Sequence, residues 1–226
     1  MPLSSDIKLK KFMVNPFEEC THILSDGTGE AVIIDCGVFH KGERRRLLDY
    51  LQEEQLRPVR LLLTHAHHDH LYGNDLIFEH YGLLPEVHKA DLPLMGGHLM
   101  NRINECYYGK YPYTIPMPEH LLNDGDIIPF GNHELRVIHT PGHSPGSVVF
   151  YCEQEGIAFT GDTLFRLDIG ATNLPFGSFE DIMNSLDYIT QLLPDDTVIY
   201  PGHGAKSTIG YEKEKNQHLN GGVFYF

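Results

Sequence analysis

Apolar residues fall in short runs along this chain, and the runs outline its elements. β-Branched and alternating stretches predict strands over Ile7 to Val14, Thr21 to Leu24 and Ala31 to Ile34, with Asp26-Gly27 and Gly29 turning the last two into a hairpin. Glu43 to Gln55 carries an apolar stripe of Leu47, Leu48 and Leu51 and predicts a helix that Pro58 closes off. Val59 to Leu63 predicts a buried strand, and Asn74 to His80 a short helix. Farther on, strands are expected over Glu134 to His139, Ser147 to Tyr151, Ile157 to Thr160 and Thr197 to Tyr200. Ser178 followed by Asp181 reads as a helix start, and Ile182, Leu186, Ile189 and Leu193 share one face of the helix it opens. A last short helix is expected near Tyr211 to His218. Strands first, then strands mixed with helices in both halves, predict a β-sandwich flanked by helices. No linker interrupts it, so residues 1–226 are expected to form one domain.

Between Leu92 and His120 the periodicity dissolves. Gly96-Gly97, Tyr107, Tyr108, Tyr111, Tyr113 and several prolines predict a helical turn or two and then an ordered loop. A long connection inside a compact domain serves either as a lid or as cover for a sheet edge. His120 and the tyrosines are candidates for substrate contact.

Candidate chemistry begins where the Val59 to Leu63 strand ends, at Thr64-His65-Ala66-His67-His68-Asp69-His70. Neutral imidazole and carboxylate are donors that zinc, iron and manganese accept. In extended backbone His65 and His67 point the same way and suit one metal ion. Asp69 and His70, where the chain turns toward a helix, can face a second ion. His68 points to the other side and is expected at the rim. His143, Asp162 and His203 also each follow a predicted strand, beside glycines that permit a sharp turn and close approach. Among the 15 histidines, His22, His80, His88, His98, His133 and His218 lack that context and are expected to be surface or core residues.

Composition narrows the partners. The 226 residues are 41% hydrophobic and 21% charged, as in ordinary globular proteins, and the formal charge is -14, from 17 basic against 31 acidic residues. Nucleic acid is excluded as a partner, since phosphates need a concentrated positive surface. The dense run Arg44 to Arg46 is expected on an exposed helix face. Cys20, Cys36, Cys106 and Cys152 are widely spaced, with no C-x-x-C pair, and read as reduced, mostly buried thiols. Met1 to Lys11 lacks the apolar region of a signal peptide, and no run is long enough to span a bilayer. A cytoplasmic protein with a small-molecule substrate is the expectation; nothing in the sequence specifies an oligomer.

THAHHDH (64–70), TPGHSPGS (140–147), GDTLF (161–165) and PGH (201–203), in that order, resemble the metallo-β-lactamase-fold hydrolases, and within them the glyoxalase II-like branch. The resemblance runs from about Cys20 to His218. It implies an α+β fold, a four-layer αββα sandwich with a binuclear metal site along one edge of the sheets. It also implies His65, His67 and His143 on a first metal ion, Asp69, His70 and His203 on a second, and Asp162 bridging both. The cofactor it implies is a pair of divalent ions, zinc first, with iron or manganese compatible. Asp69 and Asp162 are then the residues expected at the chemistry, Asp69 orienting a nucleophile that the ions activate.

Within the resemblance, thioester hydrolysis is the expected activity. Asp162 as a bridging ligand argues against the β-lactamases, and His67 against the flavodiiron proteins. An acidic chain of this length argues against the nucleases. A mononuclear iron persulfide dioxygenase is the alternative, though it would leave Asp69, His70 and His203 without a role. A metal-binding protein without turnover is the other. Two departures bear on substrate. Only a short stretch follows His203, where full-length glyoxalase II carries a glutathione-binding domain. The family often shows G-R-T-D where this chain reads Gly170-Ala171-Thr172-Asn173. Lys206 and Lys213 could meet an anionic substrate, although solvated surface lysine is the simpler reading.

Overall fold

A strand whose residues are all apolar needs cover on both faces, and this chain supplies it in four layers. The computed structural model describes residue 4 and residues 6–95 and 115–220. A first sheet joins β1 (Lys8–Val14), β2 (Glu19–Ser25), β3 (Glu30–Ile34), β4 (Arg57–Leu62), β5 (Pro85–His88) and β6 (Leu121–Leu122) in that order. Its first three strands meander antiparallel, and β3 to β6 pair parallel. The second half adds β7 (Ile127–Phe130), β8 (His133–His139), β9 (Val148–Cys152), β10 (Ile157–Gly161), a hairpin of β11 (Leu164–Phe165) and β12 (Asp168–Ile169), then β13 (Val198–Pro201) and β14 (Ser207–Thr208). All but the hairpin form a second sheet, in the order β14-β13-β10-β9-β8-β7. The helices are α1 (Lys41–Glu53), α2 (Asn74–Tyr81), α3 (Leu92–Met95), α4 (Phe179–Leu192) and α5 (Ile209–Lys215).

Alternation along each strand sorts the side chains between layers. Val32 and Ile34 join Leu24, Leu62, Leu135, Val137, Phe150 and Phe159 between the sheets. Ala31 and Ile33 face the other way and pack under Leu47 and Leu51 of α1 and Leu76 and Ile77 of α2. On the far side, Val149, Ala158 and Ile199 meet Ile182, Leu186 and Ile189 of α4 and Ile209 of α5. The α4 start is as expected: Ser178 accepts from the Asp181 backbone N–H.

Several expectations need correction. Arg44 is not on an exposed face: it is 8% exposed and forks onto both Asp75 oxygens at 2.9 Å, while also donating to the Tyr72 carbonyl. Such a guanidinium ties α1 to α2, and its planar fork suits a carboxylate better than water-facing solvation would. Pro58 does not end α1; it lies inside β4 where the register against β3 slips, between Ala31↔Pro58 and Val32↔Arg60. A bulge is where a strand tolerates a residue with no N–H to give. Strands β5 and β7 escaped the sequence pattern because they are short and carry proline, and β6 and β14 because they are two residues long. Of the segment expected as a lid, α3 and residues 115–120 are described; Gly96, Gly97, Tyr107, Tyr108, Tyr111 and Tyr113 lie outside the described residues, as do His98 and Cys106. Cys20, Cys36 and Cys152 are buried free thiols. No described helix is long and apolar enough to cross a membrane.

The ends of the sheets are pinned by polar staples. Asp26, at the turn after β2, accepts from Asn132 N at 2.6 Å and Thr28 N at 3.0 Å, and its Oδ2 lies 3.2 Å from His133 Nδ1. Burial opposes its charge, but the bonds from Asn132, Thr28 and His133 outweigh burial and hold the carboxyl down at about 2. The folded value lies below the unfolded one, so the carboxylate stabilises the fold above about pH 4 and the contribution is lost as pH falls through about 2. Asp26→Asn is therefore expected to cost about 1–2 kcal/mol at pH 7 and little at pH 2. Urea unfolding at the two pH values measures this, and an equal cost at both would contradict it.

Candidate metal centre

Every expected ligand is carried by a segment leaving the same edge of the two sheets. β4 delivers His65 and His67, and a 3-10 turn over His68–His70 swings Asp69 and His70 round beside them. The loops after β8, β10 and β13 bring in His143, Asp162 and His203. Ligand atoms of His65, His67 and His143 lie within 4.8 Å of one another, as do those of Asp69, His70 and His203, and those of His65, His70 and Asp162. Asp162 stands between the sets. Its Oδ1 is 3.6 Å from His70 Nε2, and its Oδ2 is 3.5 Å from His143 Nε2 and 3.6 Å from His203 Nε2. The structure thus brings together the seven residues expected as metal ligands.

Four of the imidazoles, His65, His70, His143 and His203, are aimed by what the other nitrogen touches, whereas His67 turns Nδ1 inward. His65 Nδ1 is 3.0 Å from Thr64 Oγ1, which donates to Asp35. His143 Nδ1 is 2.7 Å from the Ala171 carbonyl, and His203 Nδ1 is 2.9 Å from the Phe17 carbonyl. His70 Nδ1 is 3.0 Å from Asp35 Oδ2. A nitrogen committed outward leaves Nε2 facing inward, which is how outer partners fix the tautomer of a metal-binding histidine.

The donors fit metal ions better than they fit one another. His67 Nδ1 and His143 Nε2 sit 2.7 Å apart, and two imidazole lone pairs that close need a cation or shared proton between them. His65 Nε2, His70 Nε2 and Asp162 Oδ1 are buried with no hydrogen-bond partner, a costly state unless something positive binds there. A Cβ on Gly202 would come within 2.3 Å of Asp162 Oδ1 and 2.7 Å of His70 Cε1, so the cradle closes only on glycine.

Electrostatics agree. Burial first, then the neighbouring imidazoles, pushes His65 well below the usual histidine range and His67 down to about 3, which keeps their lone pairs free. Burial would lower His70 and His203 too, but the carboxylates beside them, Asp69 and Asp162 for both and Asp35 for His70, outweigh it and raise both. Burial tends to raise Asp69, yet His70 and His203 hold it below the ordinary carboxylate range.

Other residues play parts the sequence did not assign. Asp91, buried, accepts from Ala66 N at 2.8 Å, Ser144 Oγ at 2.8 Å and Gly146 N at 2.6 Å, lashing the loop of His65 and His67 to that of His143. Asp35 holds Thr64 and His70 from a left-handed conformation, φ 51°. Glu19 is fully buried, with Oε1 4.0 Å from His70 Nδ1, and burial lifts its carboxyl well above the usual range. Asp35 ends the apolar run of β3, the same signal that marked the ligands; nothing local marks Asp91.

Some nominations fall elsewhere. His68 is buried beside the centre but joins no candidate ligand group among the described residues. His120 borders a cleft with Arg60 and Glu86 that includes none of the ligand set. Lys213 pairs with Asp195 at 2.7 Å, and Lys206 Nζ lies over the Tyr200 ring. His22 is buried against Phe159 and Tyr200, His80 bonds to the Leu76 carbonyl, His88 stacks on His139, and His218 pairs with Asp168.

An αββα sandwich with clustered histidines and aspartates at the sheet edge defines a metal-binding hydrolase fold. The chain belongs to the metallo-beta-lactamase superfamily, whose family description it matches over residues 19–203, and whose members, mostly metal-dependent hydrolases, bind two metal ions. It is 33% identical to the hydroxyacylglutathione hydrolase GloC of Haemophilus influenzae, over 92% of this chain and 95% of that protein. Among solved structures, BLEG-1 B3 metallo-beta-lactamase superposes with a TM-score of 0.85 at 32% identity, covering 94% of this chain and 99% of that one. TTHA1623 in a di-iron-bound form gives 0.80 at 33% identity, covering 92% and 98%.

Proposed function

We propose that this protein hydrolyses small-molecule thioesters at a dimetal centre, with zinc the expected ion and iron compatible with the same donors. The observation that carries the reading is Asp162, whose two oxygens face histidines of both ligand sets. Divalent ions held by His65, His67 and His143 and by Asp69, His70 and His203 would lower the pKa of a bound water toward neutrality and stabilise charge on the acyl oxygen. The chain's own residues position that chemistry. Asp162 and the imidazoles, fixed from behind by Thr64, Asp35, Ala171 and Phe17, set the distance between the ligand sets. Asp69, partly open at the mouth, has Oδ2 3.2 Å from His203 Nε2 and a second oxygen to orient a water proton. In the overall step the water oxygen bonds to the acyl carbon, the C–S bond breaks, and carboxylic acid and thiol result. A thiolate leaves with little help from an acid, which suits this set of donors. Similarity to GloC supports the thioester; similarity to BLEG-1 raises a β-lactam amide as a second reading, against which Asp162 between the two ligand sets argues.

The test is a panel of thioesters (glutathione thioesters included), oxygen esters, a chromogenic β-lactam and glutathione persulfide, run on protein of measured metal content. Two ions per chain and a kcat/KM on thioesters at least about a hundredfold above the other substrates is the expected result, a margin of roughly 3 kcal/mol in transition-state binding. One iron per chain with oxygen uptake on the persulfide would overturn it, as would a preference for the β-lactam.

A further inference from the structure

The turn between β1 and β2 lies behind the metal centre and reaches two of its ligands from outside the cluster. Asn15 opens that turn and is buried. Its amide Nδ2 donates to the Asp69 carbonyl at 2.9 Å and to the Gly37 carbonyl at 3.0 Å, while Oδ1 accepts from Phe17 N at 2.9 Å. The bond from Phe17 N folds the turn so that the Phe17 carbonyl meets His203 Nδ1 at 2.9 Å. Asp69 follows β4 of the first sheet and His203 follows β13 of the second, so one side-chain amide links ligands that arrive from different sheets.

Neighbouring contacts hold the turn in place. Asn15 N donates to Glu43 Oε1 at 3.1 Å, which anchors the turn on α1. A Cβ on Gly37 would come within 2.2 Å of the Asp69 carbonyl oxygen and 2.7 Å of Asn15 Nδ2, so the chain passes there only as glycine. At the far end of the turn, Cys20 N donates to Gly202 O at 2.7 Å. Asn15 itself holds φ 52°, a left-handed conformation that asparagine adopts more readily than most residues. The first ligand set is braced from elsewhere: His65 by Thr64, His143 by Ala171, and their loops by Asp91.

We infer that Asn15 is a positioning residue for the second metal ion, setting Asp69 against His203 while the first ion keeps its own supports. This role deepens the dimetal reading and rests on it.

Two variants test it. Asn15→Asp keeps the shape, the left-handed backbone and the bond from Phe17 N, but puts an acceptor oxygen where two N–H groups donated. Asn15→Gly keeps the backbone and removes the side chain. Zinc is drawn from the zinc-loaded chain with a graded chelator while nuclear magnetic resonance of the imidazoles reports each ligand set. In both variants His70 and His203 are expected to release zinc about 10–100-fold more readily than in wild type, the usual scale for a partner behind a metal ligand. His65 and His143 should release it as in wild type. Circular dichroism checks folding, and either folded variant decides the matter. Equal weakening of both sets, an unchanged second set, or failure of both variants to fold overturns the role while thioester hydrolysis stands. Wild-type protein that holds two zinc ions yet cleaves no thioester, with the second set alone weakened in the variants, keeps the role and removes hydrolysis. Wild-type protein that holds one ion removes both.

Discussion

Asp162→Ala is expected to yield a folded protein that holds at most one metal ion per chain and turns over thioesters at least about a thousandfold more slowly. The carboxylate contacts histidines of both ligand sets within 3.6 Å, so its loss unlinks the sets and removes a negative charge that offsets the paired cations. A thousandfold is roughly 4 kcal/mol of transition-state stabilisation, a modest share of what paired metals contribute to attack by water. The fold should survive, because the side chain's contacts are with ligands of the centre rather than with the sandwich core. Metal analysis beside circular dichroism separates the effects. A variant with two ions and activity within tenfold of wild type would show that Asp162 does not bridge.

Asp91→Ala should do the opposite: it touches no candidate ligand side chain, yet is expected to cost stability and the centre together. Its carboxyl receives Ala66 N, Gly146 N and Ser144 Oγ in the buried space between two ligand loops. Alanine would strand Ala66 N and Gly146 N, each worth about 1–3 kcal/mol when left unpaired, for a total of roughly 4 kcal/mol, while Ser144 Oγ can turn to Ser147 Oγ at 2.8 Å. Burial raises the Asp91 carboxyl while the three bonds lower it, and burial prevails. Asp91→Asn, which keeps one acceptor oxygen, is expected to recover part of the loss. Denaturant unfolding and metal titration together test this. If Asp91→Ala unfolds like wild type and still binds metal at His65, His67 and His143, the loops are held by something else.

Much of the centre was legible along the chain because its donors obey a local rule. A residue just beyond an apolar run sits at a sheet edge, and His65, His67, Asp69, His70, His143, Asp162 and His203 all satisfy it. The strands covered on both faces were legible too, since continuous apolar runs such as Val148 to Cys152 have few other homes. Arg44 misled because a charge on a helix reads as solvated until a partner is known, and Asp75 lies on another helix. β5 was missed because its pairing comes from β4, distant in sequence, and β7 because proline breaks the short apolar run that its hairpin with β8 pairs.

The sequence by itself determined which atoms could bind metal and that they would gather at strand ends, because periodicity and turn chemistry act over a few residues. Only the tertiary structure decided which donors share a site, which nitrogen of each imidazole faces inward, and that Asp35 and Asp91 hold the arrangement. Those are distances between segments far apart along the chain, set by how the sheets stack and which buried polar groups find partners.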